Sequence, residues 1–234
     1  MPIRKIRIKP KQIISWVMIV LIVALFLLYA FVVVNDKPGG LSDWRMSRVI
    51  GLKSTIRIPI GKTPDEAVQK FRMFSSMDVI HRERVDGGSI LFINRSPQKE
   101  GSYLQVEYVR ETWLGWKWVW GGGYGIGKSD SPQAKPALNY MSMPEVENVS
   151  TPFPIVFGDI LDSSIKNVTV ESKSIGKHKA KLSAINSEKR IWFVLLPSLE
   201  FIPFVIKGFN EKGELLAFKT ITDPRDMGLI DLRK

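Results

Sequence analysis

Four groupings in this chain bring together residues capable of chemistry. Gly122-Gly123-Tyr124-Gly125-Ile126-Gly127-Lys128-Ser129 satisfies the pattern G-x-x-x-x-G-K-S, in which backbone amides and a lysine cradle phosphates. That chemistry needs a buried strand before the loop and a helix after it, whose N-terminus holds the anion. Trp116-Lys117-Trp118-Val119-Trp120 is an acceptable strand. Asp130-Ser131-Pro132 and then Pro136 follow the loop, however, and they break such a helix in its first turns. The segment reads as a glycine-rich turn leaving a strand. His81 and Glu83 alternate onto one strand face and could offer two metal ligands, fewer than a site requires. Asp159 and Asp162, near Gly158, suit a turn as well as a carboxylate pair.

The fourth grouping is aromatic. Trp116, Trp118 and Trp120 share one face of an extended strand with Leu114, while Lys117 and Val119 face the other way. Rings in such a row usually fill the core between a sheet and a helix. The alternative is an exposed platform for carbohydrate or interfacial lipid. If any patch here binds a ligand, the residues are Trp116, Trp118, Trp120 and Tyr124. No serine lies in a G-x-S-x-G elbow, and no Ser-x-x-Lys sits in a penicillin-binding context. Cysteine is absent, which removes thiol catalysis, thiolate metal sites and disulfides together. The residues imply no catalytic set, no metal and no cofactor.

The elements that must position these groups begin with an apolar segment. From Ile13 to Val34, 22 residues run with Ser15 as the only clearly polar side chain. As a helix they span roughly 33 Å, enough for a hydrocarbon core of about 30 Å. A cleaved signal peptide has a shorter apolar run ending in small residues, and Leu28-Tyr29-Ala30-Phe31-Val32 has no such end. The segment is expected to be an uncleaved transmembrane anchor. Arg4, Lys5, Arg7, Lys9 and Lys11 precede it, against Lys37, Arg45 and Arg48 in the residues just after it. This bias predicts a cytoplasmic N-terminus and an extracytoplasmic remainder. Of the formal net charge of +11, the tail before the helix supplies +5 and leaves +6 beyond it.

Patterning divides the rest. Residues 1–12 are a basic tail, 13–34 the transmembrane helix, and 35–53 a stalk around Pro38-Gly39-Gly40. Residues 54–127 form an α+β module. In it Ser54–Ile60 alternates as a strand, and Thr63-Pro64-Asp65-Glu66 caps a helix running to about Ser75. Strands follow at Met77–Val85 and Ser89–Asn94 about the Asp86-Gly87-Gly88 turn, then at Tyr103–Glu111, with Gln105 and Glu107 on its polar side, and Leu114–Trp120. Residues 128–149, with Pro132, Pro136 and Pro144, read as a linker. Six short apolar runs within 150–224 make a small β-sandwich, and 225–234 is a fraying tail. The fold class is therefore α+β and all-β: one transmembrane helix, a helix-on-antiparallel-sheet module and a β-sandwich.

The run Gly115-Trp116-Lys117-Trp118-Val119-Trp120-Gly121-Gly122-Gly123-Tyr124-Gly125 resembles a segment of uncharacterised exported proteins of Bacillus-type Gram-positive bacteria. Phe157-Gly158-Asp159-Ile160 and Ile206-Lys207-Gly208-Phe209-Asn210-Glu211-Lys212-Gly213 extend the likeness, which covers most of residues 63–221. The resemblance implies an exported, membrane-anchored fold and carries no activity.

Together these features predict a binding or interaction module of the cell envelope. Its expected partners are membrane lipid through the helix and, outside, an anionic cell-wall polymer or an envelope protein. Nucleic acid is not expected in that compartment, and the lysines and arginines look scattered in the sequence. The alternative is an envelope enzyme whose site assembles from His81, Glu83 and the glycine-rich turn. A sensor is disfavoured by the 12-residue tail, which has no room for an output domain.

Overall fold

The structure is a computed structural model describing residues 10–95, 103–126, 135–186, 189–197 and 202–233. Helix α1 spans Pro10–Asp36 over 27 residues. Its apolar run has no polar face and is exposed along its length, and the helix is long and apolar enough to cross a membrane. A second helix, α2, occupies Leu41–Val49. This corrects the expected stalk. Gly40 is its N-cap, and Asp43 in the first turn and Arg48 in the last complement the helix dipole.

After the two-residue strand β1 (Ile60–Gly61), helix α3 covers Pro64–Arg72. Thr63 Oγ1 accepts from the Glu66 amide at 3.2 Å, and the Glu66 carboxylate reaches back to the Lys62 amide at 2.6 Å. The helix stops short of Ser75 because Met73 turns left-handed at φ 55°. Only Ile60 of the strand expected over Ser54–Ile60 is paired, against Lys117.

Four strands follow: β2 (Asp78–Val85), β3 (Gly88–Asn94), β4 (Leu104–Thr112) and β5 (Gly115–Gly123). The β2–β3 hairpin turns through Gly87 at φ 68°, as the Asp-Gly-Gly sequence requires. Next come β6 (Pro136–Met143), β7 (Ile155–Ile160), β8 (Asn167–Ser172), β9 (Gly176–Lys179), β10 (Lys181–Ala184) and β11 (Arg190–Leu195). The chain then forms β12 (Phe204–Phe209), β13 (Leu215–Ile221) and β14 (Met227–Asp231). Three antiparallel sheets result, ordered β1-β5-β4-β3-β2, β10-β11-β7-β6-β14 and β13-β12-β8-β9.

These sheets stack in layers with three apolar cores. Ala67, Val68 and Met46 of the helices pack on Leu91, Ile93, Val109 and Trp118 of the first sheet. Ile90, Phe92, Val106 and Tyr108 point the other way, into a core with Ile155, Phe157, Ile191 and Phe193 of the second sheet. Val156, Trp192 and Val194 then alternate onto the far face, against Val168, Val170, Phe204 and Ile206 of the third. The second and third sheets are the β-sandwich. Two expectations are corrected here. The supposed linker contains β6, an interior strand of the middle sheet, and the supposed tail contains β14, which pairs with β6 and buries Ile230. Because the middle core is shared, the two modules are continuous.

Two ion pairs fasten α1 and α2 to this stack. Lys117 of β5 is 2% exposed, and its ammonium lies 2.6 Å from Asp43 of α2. It also donates to the Asp36 carbonyl at the end of α1, at 2.8 Å, and to Ser42 Oγ at 2.9 Å. The other Asp43 oxygen accepts from the Gly39 and Ile58 amides at 2.6 and 2.9 Å. Arg110 donates to the Asp36 carboxylate at 2.6 Å. Burial lowers the Lys117 pKa below its ordinary value, and the Asp43 carboxylate opposes that shift. Asp43→Asn removes the counter-charge from a buried cation, which costs about 3–5 kcal/mol. Denaturant unfolding of the full chain in detergent micelles should report that loss. Adding Lys117→Met to Asp43→Asn should recover most of it, because the carbonyl oxygen of the introduced amide still accepts from the Gly39 and Ile58 amides. A cost for Asp43→Asn under about 0.5 kcal/mol would remove the pair from this role.

Candidate functional site

The aromatic strip lies against the helices. Trp118 is buried, and Phe71 of α3 stacks on it with centroids 3.8 Å apart. Trp116 is half-buried beside it, with the Arg84 guanidinium 5.0 Å from its ring. A register shift at Tyr108 and Val109, however, pairs half-buried Trp120 with Tyr108, so that Trp120 packs against the middle core as well and the three rings do not share one face. Tyr124 is buried in the middle core, its hydroxyl donating to Asn139 and Asp159 at 2.7 and 3.0 Å. A ligand platform running from Trp116 to Tyr124 is therefore corrected: its two ends share no open face, and Trp118 has none to offer. The exposed tryptophan of this hairpin is Trp113, 89% accessible at the β4–β5 tip.

Beneath Trp118 lies a buried carboxylate that the alternating pattern had placed on a polar face. Glu107 is fully buried because both faces of β4 are covered. It accepts from Arg72 Nε at 2.8 Å, from the Trp118 indole and from Gln105. Arg72 also reaches the Gly121 carbonyl at 3.2 Å. A Cβ on Gly121 would fall 1.9 Å from Glu107 Oε2, so a glycine is required there. A Cβ on Gly123 would likewise fall 2.5 Å from the Leu104 carbonyl oxygen. Gly121 to Gly123 end an antiparallel strand packed on its neighbour, whereas a phosphate loop would follow a parallel strand, and residues 127–129 lie outside the described ones.

The expected meeting of His81, Glu83 and the glycine-rich segment does not occur. β2 and β5 are separated by two strands in the sheet, about 14 Å at the usual spacing. Instead His81 meets a residue 102 positions later, its Nδ1 lying 3.1 Å from Ser183 Oγ of β10. Glu83 Oε2 is 3.5 Å from His81 Nε2, too long for a hydrogen bond, and Glu83 is ion-paired with Lys181. The imidazole packs 5.5 and 5.6 Å from the Phe92 and Phe193 rings. No local pattern announced Ser183, since the contact forms only when the first and second sheets stack. Asp159 and Asp162 also separate: the first accepts from Tyr124 and Asn139, the second from the Ser164 amide at 2.8 Å. Among the described residues, no cluster of three His, Asp or Glu side chains is placed to hold a metal ion.

A charged feature forms where the chain passes from the third sheet to the second. β9 and β10 are separated only by Ala180, which is buried, so Lys177, Lys179 and Lys181 alternate onto the opposite, exposed side. Lys177 lies 3.6 Å from Glu171 and Lys181 pairs with Glu83. A stripe of three ammonium groups on a sheet rim can bind a polyanion and also discourages edge-to-edge pairing.

Comparison with known protein families, curated proteins and solved structures returned no match. The resemblance noted in the sequence thus stands on its residues alone.

Burial pushes the Glu107 carboxyl above its ordinary value of 4.5, against the pull of Arg72, Trp118 and Gln105. A raised carboxyl contributes stability that is full below the unfolded value and is lost as pH rises through the folded one. The stability of the native chain relative to Glu107→Gln should therefore fall as pH climbs from about 4.5, then level off. Denaturant titrations of both proteins across that range check the sign, and a difference that grows with pH would contradict it.

Proposed function

We propose that this protein is a single-pass cell-membrane protein with a cytoplasmic N-terminus, whose extracytoplasmic domain binds an anionic polymer of the cell envelope. The orientation is supported by the five basic residues before α1 against three just after it. The observation that carries the ligand class is the exposed stripe of Lys177, Lys179 and Lys181 on the rim of a domain joined to its anchor through buried contacts. An anionic polymer such as a polyglycerol-phosphate chain matches the stripe by repeated charge along an extended track. An envelope protein with an acidic face is the other partner of that chemistry. Protoplasts displaying the full chain should bind added polyglycerol phosphate from outside, more weakly as salt rises. Lys177→Gln, Lys179→Gln and Lys181→Gln together should weaken binding roughly tenfold, as three surface charge contacts of a few tenths of a kcal/mol each imply. Binding that ignores both salt and the triple substitution would overturn the reading.

A second reading, an envelope hydrolase, is favoured by the Ser183–His81 contact at 3.1 Å with Glu83 beyond the other ring nitrogen. That is the order nucleophile, base, carboxylate. On this reading a fluorophosphonate probe labels the full chain, and Ser183→Ala and His81→Ala each abolish labelling. A chain that stays unlabelled, or labels equally in both variants, removes the hydrolase.

A further inference from the structure

Helix α2 has two unlike faces. Asp43, Met46 and Ser47 are buried against the domain. Leu41, Trp44, Arg45, Arg48 and Val49 fall on the opposite side, and Trp44 is 47% exposed. Ile50 and Leu52 continue the exposed apolar surface past the helix end. Outside α1, eleven large hydrophobic side chains are exposed among the described residues, and five of them lie within residues 41–52. That concentration needs a partner that covers it.

Position selects the partner. The anchor's apolar run ends at Val34, and α2 begins five residues after the end of α1. The chain between them is folded into a turn, with the Lys37 amide on the Val33 carbonyl at 3.0 Å and the Gly40 amide on the Lys37 carbonyl at 2.8 Å. If α1 spans a bilayer, α2 therefore sits at headgroup depth. Its composition suits that depth, since tryptophan and arginine are enriched where one end of a side chain is apolar and the other wet. Arg48 lies 5.8 Å from the Trp44 ring and donates to the Leu52 and Lys53 carbonyls at 3.0 and 2.9 Å. Arg45 and Lys53 remain to face lipid phosphates. The only acid between Lys37 and Lys53 is Asp43, which is buried on Lys117.

We infer that α2 is an interfacial helix that lies on the anionic lipid surface beside α1 and seats the domain on the membrane at a fixed attitude. This rests on the reading of α1 as a membrane anchor. Its recognition chemistry is an apolar face entering the headgroup boundary and cations meeting phosphate oxygens. The Lys117–Asp43 joint makes the seating rigid.

The chain has no cysteine, so single labels are straightforward. Full-length Leu41→Cys and Val49→Cys, each carrying a nitroxide, are placed in nanodiscs of phosphatidylglycerol and phosphatidylcholine. Leu25→Cys in α1 and Lys212→Cys in the β12–β13 loop are the references for lipid and water. The ratio of oxygen to nickel-chelate collisions at residues 41 and 49 should lie several-fold above that at 212, approaching that at 25. Arg45→Gln with Lys53→Gln should lower the ratio at 41 in these discs and change it little in phosphatidylcholine alone. Ratios at 41 and 49 equal to that at 212, with 25 lipid-buried, would overturn the inference and leave the anchor standing. Spin–spin broadening at 41 would replace lipid by a second copy of the chain. A water-accessible 25 would overturn anchor and inference together.

Discussion

One buried ammonium group holds the end of α1, the second helix and the first sheet in a common frame. Removing Lys117 from water is unfavourable unless every proton finds a partner, and its partners are the Asp36 carbonyl at the end of α1 and Ser42 and Asp43 at the start of α2. Asp43 is in turn committed to the amides of Gly39 and Ile58, so moving any one of these segments exposes an unpaired charge. The consequence is mechanical. A segment rich in proline and glycine, which would swivel freely in isolation, becomes a fixed mount.

Behind that mount the protein is a stack whose interior layers are buried on both sides. β3, β7 and β11 each send alternate residues into two different cores, so side chains as large as Phe157 and Trp192 are both fully buried from neighbouring strands of one sheet. Two carboxylates inside this stack are held in small closed sets. Glu107 is held by Arg72, Trp118 and Gln105, and Asp159 by Tyr124 and Asn139. Such sets fix the relative register of the layers, because a one-residue slip would leave a buried carboxylate without donors.

Exposed charge follows a different logic from buried charge. Exposed cations line the outward face of α2 and the β9–β10 rim, and both sites follow from strand or helix periodicity applied to a surface that one side already buries. The arrangement sets a basic face beside the end of α1 and a basic rim where the third sheet passes into the second.

Local chemistry alone determined a good part of this protein. The apolar run from Ile13 to Val34, the Thr63–Glu66 cap, the Gly87 turn and most β-strands were legible, because each depends on side chains within a few residues of one another. Lys117 facing away from Trp116 and Trp118 was legible too, but its role was not, since Asp43 lies far off in sequence. Other decisions belonged to the tertiary structure. The continuous apolar runs Ile155-Val156-Phe157 and Ile191-Trp192-Phe193-Val194 signal burial on two faces, yet only the third layer reveals what covers the second face. β6 and β14 take their strand character from each other and from the sheet they join, which overrides the prolines and charges around them. The pairing of His81 with Ser183 and the burial of Glu107 exist only once sheets stack. Sequence spacing encodes neighbours along a chain, whereas packing decides neighbours across it.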